Sequence, residues 1–558
     1  MMCDCSVTTM ADQLSELYQD FLTGSYDCVD RIVLNGNFGL CYSPGGFRSW
    51  WRQLHDGSDE KLDNAHLMRM AGRFSRRVRG YAKANAIAII DCSSDDKKHQ
   101  IAEEHLEKNP STRGLFMILV ARAPATVWEV RRSKQGVIQN LESKRAFINH
   151  YSFHIRDADW GHITFKIAGH PPFGAQIMLN GHEYVACQAQ KNGIPFTKEG
   201  NCFTIVDKPA DLAEVADTLS ESRTIGRLSQ VCERWIYSAC LCFALDLEEQ
   251  QHSRFHYQYS VYQVEYSRNL IFRRGAQMEE IVQALVDRTR ARLNMKLLKT
   301  IFGAKGRPNW RQNRKRPRLE VVVERPQYDL TIFKLHFGKL TLKVYTKGER
   351  VLRIEVVLHN AKELRCGRLL EKFPPIVTRL KQIADQFLDH VYAMDAPFVS
   401  DTTLDELPQP SCLGKSKIGG IDINRLRTRT VLNAALSLAC APRGFTVGDF
   451  AATVQSMRDP TLPLYDARRA AYDLKKLRAK NLLTKLGRTR RYSIPSAAIR
   501  TIGALVILRE KVLRPILAGV VGKRTTGRKL KNWSLIDEHY ETIRQDMFTL
   551  FEDLHIAA

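Results

Sequence analysis

The sequence predicts an α+β protein of several domains, and three observations support this fold class. The chain has 558 residues, more than one hydrophobic core usually organises, so two to four domains are expected. Residues 319–359 alternate between apolar and polar side chains, which predicts a central antiparallel sheet. Residues 425–495 show helical periodicity that ends in two short strand patterns. We therefore expect an N-terminal α/β region, this central sheet with helices, and a helical C-terminal part.

The composition is that of a globular protein without a membrane partner. Hydrophobic residues make up 44% of the chain, which is too apolar for general disorder. The longest apolar runs, such as 115–128, are shorter than a membrane span, and residues 1–30 lack the pattern of a signal peptide. The thirteen Cys include no CxxC pair and no disulfide framework. We expect a reduced, cytoplasmic protein with no evident cofactor.

The net charge of +24 is concentrated in two places. Residues 421–531 contain 24 Lys and Arg against 6 Asp and Glu. Residues 302–318 contain seven basic and no acidic residues, so the rest of the chain is close to neutral. Positive charge concentrated in this way predicts a polyanionic partner, and nucleic acid is the class it fits best.

Changes in pattern divide the chain into eight regions. A helix and strand alternation makes residues 1–148 an α/β domain with a βαβ unit near 86–130, and no GxGxxG or P-loop pattern accompanies it. Asn180–Gly181 predicts a hairpin turn. The other regions are a small β-rich region (149–210), a mostly helical region (211–300), a basic loop (301–318), an antiparallel sheet plus helix (319–396), a linker (397–424), a helical module (425–495) and C-terminal helices (496–558).

The module at 425–495 has the elements of a winged helix: three helices and a hairpin with a basic turn. Thr446 is the predicted N-cap of the second helix, with Asp449 three positions on. In a winged helix the third helix enters the major groove, and the hairpin contacts phosphates or the minor groove. The residues predicted to contact nucleic acid here are Arg468, Arg469, Tyr472, Lys475, Lys476, Lys485, Arg488, Arg490 and Arg491.

These helix, cap and hairpin positions resemble the winged helix of MarR-like transcription regulators. The resemblance implies DNA binding by a homodimer, for which helices at 497–518 and 533–553 could supply the contact. Winged helices also act as protein–protein modules, so a solvated basic face is the alternative. A regulator of this kind does not need four hundred further residues, so the resemblance leaves the N-terminal part unexplained.

Residues 302–318 form the second basic cluster. Gly, Pro and Asn interrupt it, which predicts a loop. Its cations could neutralise phosphates and its Trp could stack on an unpaired base, whereas the alternative is a disordered loop without a defined partner. The predicted contacts are Lys305, Arg307, Trp310, Arg311, Arg314, Lys315, Arg316 and Arg318.

The sheet at 319–359 is predicted to have one apolar and one charged face. Glu355 and His359 share the charged face and are the candidate catalytic residues, as an acid–base pair or as metal ligands. A phosphate-contacting face or a protein interface is the alternative. Three cations of this face are predicted to contact nucleic acid: Lys334, Lys343 and Arg353.

Residues 340–364, which include "TKGERVLRIEVVLHNAKEL", resemble the conserved strand of rolling-circle replication proteins. The resemblance implies a metal-dependent enzyme that cuts nucleic acid. Those enzymes use two metal-binding His separated by one residue and a nucleophilic Tyr, and no HxH occurs in this chain. No catalytic role is therefore transferred, the metal ligands stay unknown, and a divalent metal is expected only for a nuclease.

A second group of metal-ligand types lies in "HIRDADWGH", at 154–162. His154, Asp157, Asp159 and His162 surround one turn, where they could bind a divalent metal. Asp and Gly are also the usual residues of a tight turn, and we favour the turn.

Three hypotheses for the function follow. The first is a nucleic-acid-binding protein, of prokaryotic or mobile-element origin, that uses the winged helix and the basic loop on one polyanion, either DNA or a structured RNA in a ribonucleoprotein. The second is a nuclease or a replication or transposition enzyme with its site on the 319–359 sheet. The third is a dimeric transcription regulator.

Overall fold

The protein is described from a computed structural model, in which the chain forms two compact units. The described residues of the first unit lie within Tyr18–Val282 and Glu320–Ala384, and nearly all those of the second lie within Asp385–Ala558. The chain thus has several domains of mixed helix and strand content, as predicted. The residues described are 16, 18–93, 96–239, 241–282, 331–337, 340–364, 366–395, 401–414, 416–439, 441, 444–458, 463–513 and isolated positions between 535 and 549.

In the described part of the first unit, one mixed sheet of ten strands organises the fold. Its order is β10-β11-β12-β9-β1-β6-β5-β4-β3-β2, and β7 pairs with β8 in a separate hairpin. Neighbouring strands of the large sheet are antiparallel except β2 and β3. The strands are β1 (Leu22–Asn37), β2 (Ala88–Cys92), β3 (Gly114–Arg132), β4 (Ile138–Asp157), β5 (Gly161–Ala168), β6 (Ala175–Asn180), β7 (Phe196–Glu199), β8 (Cys202–Val206), β9 (Gln258–Phe272), β10 (Thr331–Phe337), β11 (Leu340–Lys347) and β12 (Val351–Leu358).

The helices of the first unit connect and cover these strands. The predicted βαβ unit is present, because the parallel strands β2 and β3 are joined by the helix Lys98–Lys108. The helices are α1 (Pro44–Leu54), α2 (Asn64–Ala84), α3 (Lys98–Lys108), α4 (Gly181–Lys191), α5 (Pro209–Asp217), α6 (Arg223–Ala239), α7 (Leu247–Ser253) and α8 (Phe373–Asp395), of which α8 continues past the first unit.

The antiparallel sheet expected at 319–359 is part of a larger sheet. Its described strands are β10, β11 and β12, and residues 319–330 lie outside the described part of the chain. Strand β12 pairs with β9, so these strands extend the sheet that begins at Leu22. All eight residues of β12 are buried, so the two charged residues of this strand, Arg353 and Glu355, are covered and not exposed. In the observed register, Lys343 of β11 lies opposite Glu355 of β12 and opposite Lys334 of β10.

The hairpin turn predicted at Asn180–Gly181 is wrong, because these residues begin a helix. The Asn180 side chain accepts a hydrogen bond of 2.8 Å from the backbone N–H of His182 and so caps α4. Gly181 fits because a Cβ at this position would lie 1.8 Å from the carbonyl oxygen of Val29 in β1. Gly181 is therefore required by the close packing of α4 on β1, and not by a hairpin turn.

The second unit contains three helices followed by a two-stranded hairpin. Thr446 and Asp449 form the predicted capping box at the start of the second of these helices. Phe445 pairs with Tyr492, which fastens the hairpin to the helices. The elements are α9 (Asp401–Glu406), β13 (Ser411–Leu413), β14 (Ser416–Ile418), α10 (Leu426–Ala439), α11 (Val447–Met457), α12 (Ala467–Ala479), β15 (Thr484–Lys485), β16 (Tyr492–Ser493) and α13 (Ser496–Ile507).

The segment 397–424, expected to be a linker, is packed where the structure describes it. Leu407 and Ile421 belong to the hydrophobic core that α10, α11 and α12 share. The backbone N–H of Ile421 also donates a hydrogen bond of 2.7 Å to the carbonyl oxygen of Leu407. None of the described helices is long and apolar enough to cross a bilayer.

We expect Gly181→Ala to destabilise the first unit by roughly 1–3 kcal/mol, because the added methyl group would force α4 away from β1. Gly226→Ala in α6 is the matched control, since its Cβ would meet no atom within 4 Å and alanine favours a helix. Urea unfolding followed by circular dichroism measures both changes. Equal unfolding midpoints for the two variants would contradict the close α4–β1 contact.

Candidate functional sites

The first site begins at a β-bulge in β1. Val29 pairs with Tyr266 of β9 and Ile32 pairs with Val264, so Asp30 and Arg31 together lie opposite one residue. Such a bulge adds local twist and re-aims a side chain. Here it brings the carboxylate of Asp30 close to those of the neighbouring strands.

Asp30 forms a buried ion pair with Arg353 of β12, although β9 lies between their strands. The Nη2 atom of Arg353 donates to Asp30 Oδ2 at 2.7 Å, and the two residues are 0% and 1% exposed. Arg353 also donates to Ser267 Oγ at 2.9 Å and to the carbonyl oxygen of Asn201 at 3.0 Å. Burial would raise the pKa of Asp30, but Arg353 and then His182 lower it below its usual range.

His182, in the first turn of α4, lies between the two ions. Its Nδ1 is 3.2 Å from Asp30 Oδ1, and its Nε2 is 3.3 Å from Arg353 Nη2. A neutral ring with the proton on Nδ1 satisfies both contacts, because Nδ1 then donates to the carboxylate and Nε2 accepts from the guanidinium. Burial lowers the pKa of His182 to about 4, and the charge of Arg353 acts in the same direction.

Two further carboxylates complete the cluster. Oxygen atoms of Asp30, Glu265 and Glu355 all lie within 4.8 Å of one another. Glu355 is 3% exposed and accepts a hydrogen bond of 2.6 Å from Lys343 Nζ. Burial, followed by the charges of Glu355 and Asp30, raises the pKa of Glu265.

The cluster has the ligand types of a divalent metal site, but its charges are already balanced in part. Carboxylate oxygens are the ligands that Mg²⁺ and Mn²⁺ prefer. Arg353 pairs with Asp30 and Lys343 pairs with Glu355, which leaves Glu265 as the carboxylate without an ion pair among the described contacts. A metal ion would therefore compete with Lys343 for Glu355.

The structure does not bring the two candidate catalytic residues together. Glu355 faces Lys343 inside the sheet, whereas His359 is exposed after the end of β12, with Nε2 2.9 Å from Thr341 Oγ1. Four residues of extended chain separate them by about 13 Å. Arg353, which was predicted to contact nucleic acid, is fully buried in this structure.

Residues 158–160 form the turn that we favoured, between the end of β4 and the start of β5. Asp157 Oδ1 accepts hydrogen bonds from the backbone N–H groups of Asp159 and Trp160, at 2.8 and 3.0 Å. Its Oδ2 accepts from Arg234 and Trp235. Among the described residues, the cluster around Glu265 is the one group of three or more His, Cys, Asp or Glu with ligand atoms close enough to share a metal.

The second site is the outer face of α12. Asp466 caps this helix by accepting from the backbone N–H of Arg469 at 2.8 Å. Arg468 and Lys475 are exposed, and Tyr472, between them on the same face, is 47% exposed. The hairpin that follows adds three more exposed cations: Lys485, Arg488 and Arg490.

A buried carboxylate fixes the orientation of α12. Asp473 Oδ2 accepts hydrogen bonds from Arg427 Nη2 of α10 at 2.7 Å and from the Tyr465 hydroxyl at 2.8 Å. Burial and then the charge of Asp473 raise the pKa of Tyr465, so its hydroxyl stays a donor at neutral pH. These contacts hold one face of α12 inward, whereas Arg468, Tyr472 and Lys475 on the opposite face are exposed.

Other predicted contact residues are partly engaged within the unit. Lys476 is half-buried, donates to the carbonyl oxygen of Gly420 at 3.1 Å and lies 5.3 Å from the centre of the Tyr472 ring. Arg491 donates to the carbonyl oxygen of Gly444 at 2.9 Å. Arg469 is half-buried and donates to the carbonyl oxygen of Leu464. Fewer cations of this surface are fully exposed than were predicted to contact nucleic acid.

The basic loop 302–318 lies outside the described residues, as does the side chain of Lys334. Their predicted contacts stay predictions. Asp30, His182 and Glu265 were not predicted to share a site. One signal was available in β9: Glu265, Ser267 and Asn269 are polar residues at alternate positions, so they share one face of the strand.

A scan of protein-family models and searches of curated proteins and solved structures found no match to this chain.

We expect His182 to lower stability as the pH falls. The folded protein keeps this ring neutral down to about pH 4, whereas the unfolded chain protonates it near its usual pKa of about 6.5. The unfolded state then binds more protons, which should remove about 2 kcal/mol of stability between about pH 7 and pH 5. Glu265, with a raised pKa, acts in the opposite sense, so the comparison must be between variants.

Urea unfolding of wild type and His182→Gln across this pH range measures the effect. The variant should lose less stability on acidification than wild type, and His256→Gln, at an exposed position, should behave as wild type. Parallel pH profiles for wild type and His182→Gln would contradict the neutral assignment.

Proposed function

We propose that this chain is a nucleic-acid-binding protein and that α10, α11, α12 and the β15–β16 hairpin form a winged helix that docks on a duplex. One observation supports this proposal above the others: the exposed face of α12 and the adjoining hairpin present cations to solvent. Between residues 467 and 493 there are ten Lys or Arg and one acidic residue, Asp473, which is buried and paired. A surface with this composition fits a polyanion.

The arrangement of the elements suits a duplex groove. Helix α12 has 13 residues and is therefore about 20 Å long, and its outward face is free of acidic residues. A major groove about 12 Å wide admits one helix. The hairpin follows directly, and its turn contains Gly487 at a φ of +50°, in the left-handed region that suits glycine. Arg488 and Arg490 in this turn would reach phosphates beside the groove.

The proposal extends to three features outside these described contacts. The loop 302–318 would be a second contact on the same polyanion, and its deletion should reduce the salt dependence of binding. A homodimer through the C-terminal helices and a cytoplasmic location are parts of the same proposal. Both DNA and structured RNA fit a basic surface of this kind.

We expect the double variant Arg468→Ala/Lys475→Ala to weaken duplex binding about tenfold or more. Two lost phosphate contacts should also reduce the slope of log K against log salt by about 1.8. Fluorescence anisotropy with a labelled random-sequence DNA duplex, and with the RNA duplex of the same sequence, measures both quantities over a salt series.

The matched control is Lys208→Ala/Lys362→Ala, which removes two exposed cations from the first unit. It should leave the affinity and the salt slope near those of wild type. If the two double variants weaken binding equally, the interaction follows total charge and the α12 face is not the binding surface. Sequencing the nucleic acid that co-purifies from cells without nuclease treatment would identify DNA, RNA or neither as the partner.

A second candidate function, a metal-dependent nuclease or strand-transfer enzyme, is favoured by the convergence of Asp30, Glu265 and Glu355. Under this hypothesis, Mn²⁺ or Mg²⁺ would displace Lys343 from Glu355 and activate a water or a phosphate oxygen. The buried ion pairs favour a structural role, so this candidate ranks below nucleic-acid binding.

We expect Glu355→Gln to abolish any Mn²⁺-dependent cleavage of the bound nucleic acid while binding is retained. Gel analysis of labelled single-stranded and duplex substrates measures cleavage, and Glu349→Gln, at an exposed position just before β12, is the control. Cleavage that survives Glu355→Gln, or no cleavage by wild type in either metal, would remove the cluster as an active site.

A further inference from the structure

A groove of about 730 Å³ lies in the first unit, apart from both sites described above. One wall is a face of α2, formed by residues at helical spacing from Asn64 to Ser75. The other wall belongs to β3 and β4. Strand β4 pairs with β5 only from His150 onward, so 122–149 extend beyond the sheet as a two-stranded ribbon. The groove is the space between this ribbon and α2.

The groove is lined by buried apolar side chains at its base and by exposed apolar side chains at its edges. Leu67, Trp128 and Tyr151 line it and are 1%, 8% and 1% exposed. Phe147 on the ribbon and Met68 on α2 also line it, yet they are 67% and 64% exposed. Large apolar side chains exposed at one concave site usually indicate a ligand.

Cations accompany these apolar edges. Arg122 lines the groove, is exposed, and donates to the carbonyl oxygen of Phe147 at 3.3 Å. Lys144 lines it too, and is paired at 3.2 Å with Glu129. On the opposite wall, the Nη1 atom of Arg76 lies 3.4 Å from where a Cβ on Gly72 would be, so this guanidinium covers the helix surface beside the groove. The charge around the groove is therefore net positive.

We propose that this groove binds single-stranded nucleic acid, with a base stacked on Phe147 and a phosphate near Arg122. An exposed aromatic ring beside an arginine is the combination that binds unpaired nucleotides without strong sequence preference. The volume suits one or two nucleotides, since ligand pockets span about 300–1,000 Å³. A duplex is convex and keeps its bases stacked inside, so it cannot place a base in this concave site.

This inference depends on the proposed function in one respect, namely that the partner is a polyanion. Net positive charge argues for nucleic acid over an apolar peptide, which would use Phe147 and Met68 without needing Arg122. The chain would then have a duplex contact in the second unit and a single-strand contact in the first. Substrates with a duplex beside an unpaired segment offer both.

The test uses the full-length protein, a labelled oligo(dT) of about twelve nucleotides and a labelled DNA duplex, both measured by fluorescence anisotropy. Phe147→Ala should weaken oligo(dT) binding about tenfold, since stacking of one base contributes about 1–3 kcal/mol. Phe147→Leu should weaken it similarly, because leucine keeps the apolar surface but offers no ring. Arg122→Ala should weaken it and lower its salt dependence. Duplex binding should stay unchanged in all three.

Tyr42→Ala is the matched control, because Tyr42 is 65% exposed and does not line the groove. It should bind oligo(dT) as wild type does. Wild-type affinity in Phe147→Leu would indicate an apolar peptide groove and overturn the inference, as would a wild type that does not bind oligo(dT).

The variant Arg468→Ala/Lys475→Ala separates the two proposals. If it weakens duplex binding and leaves oligo(dT) binding intact, both stand. If it weakens both equally while Phe147→Ala weakens neither, the single-strand site is overturned and the winged-helix contact remains. If the duplex does not bind at all but Phe147→Ala weakens oligo(dT) binding, the winged-helix contact fails and the groove remains.

Discussion

The ion pair between Asp30 and Arg353 is the contact on which the first unit depends. It joins β1 to β12 across the intervening strand β9, and both side chains are withdrawn from water. Removing one partner of such a pair typically costs about 3–5 kcal/mol, because the other charge stays buried. The surrounding groups are arranged accordingly: the bulge in β1 aims the carboxylate, and His182 and Asn201 donate to it. Both faces of β12 are buried, because His182 and Asn201, which cover it, also form hydrogen bonds with Asp30 and Arg353.

The same contact limits what the carboxylate cluster can do. Two of its three carboxylates already have cationic partners at 2.6 and 2.7 Å. The basic face of α12 is different, because Arg468 and Lys475 on it are exposed to solvent, while Asp473 on the inner side of the helix is neutralised by Arg427. The charges of the carboxylate cluster are buried and largely paired with one another, whereas those on the outer face of α12 are accessible to a ligand. This contrast in accessibility is the physical reason for ranking binding above catalysis.

The sequence predicted the elements whose pattern is local. The alternation in β11 and β12 placed Lys343 and Glu355 on the same face of the sheet, and helical spacing around Tyr472 separated the two faces of α12. The sequence did not predict the features that are determined by contacts between distant parts of the chain. Asp30 and Arg353 are 323 residues apart, and no local pattern connects them. Asn180–Gly181 has two local interpretations, and only packing against β1 selects the helix cap over the hairpin turn. Burial of the charged face of β12 likewise depends on α4 and the β7–β8 hairpin, which a strand pattern does not reveal.

The position of β12 in the sheet has a consequence for synthesis. At about 5–20 residues per second, roughly 16–65 seconds pass between translation of Asp30 and of its partner. Until then β9 lacks its partner strand β12 on one side, and the Asp30 carboxylate, which is buried in the folded protein, lacks the Arg353 guanidinium. A nascent chain in this condition offers an open strand edge, the feature that holdase chaperones protect and that aggregation exploits. The yield of folded protein in cells therefore depends on how well the open edge of β9 is kept from pairing with other chains until β12 has been translated.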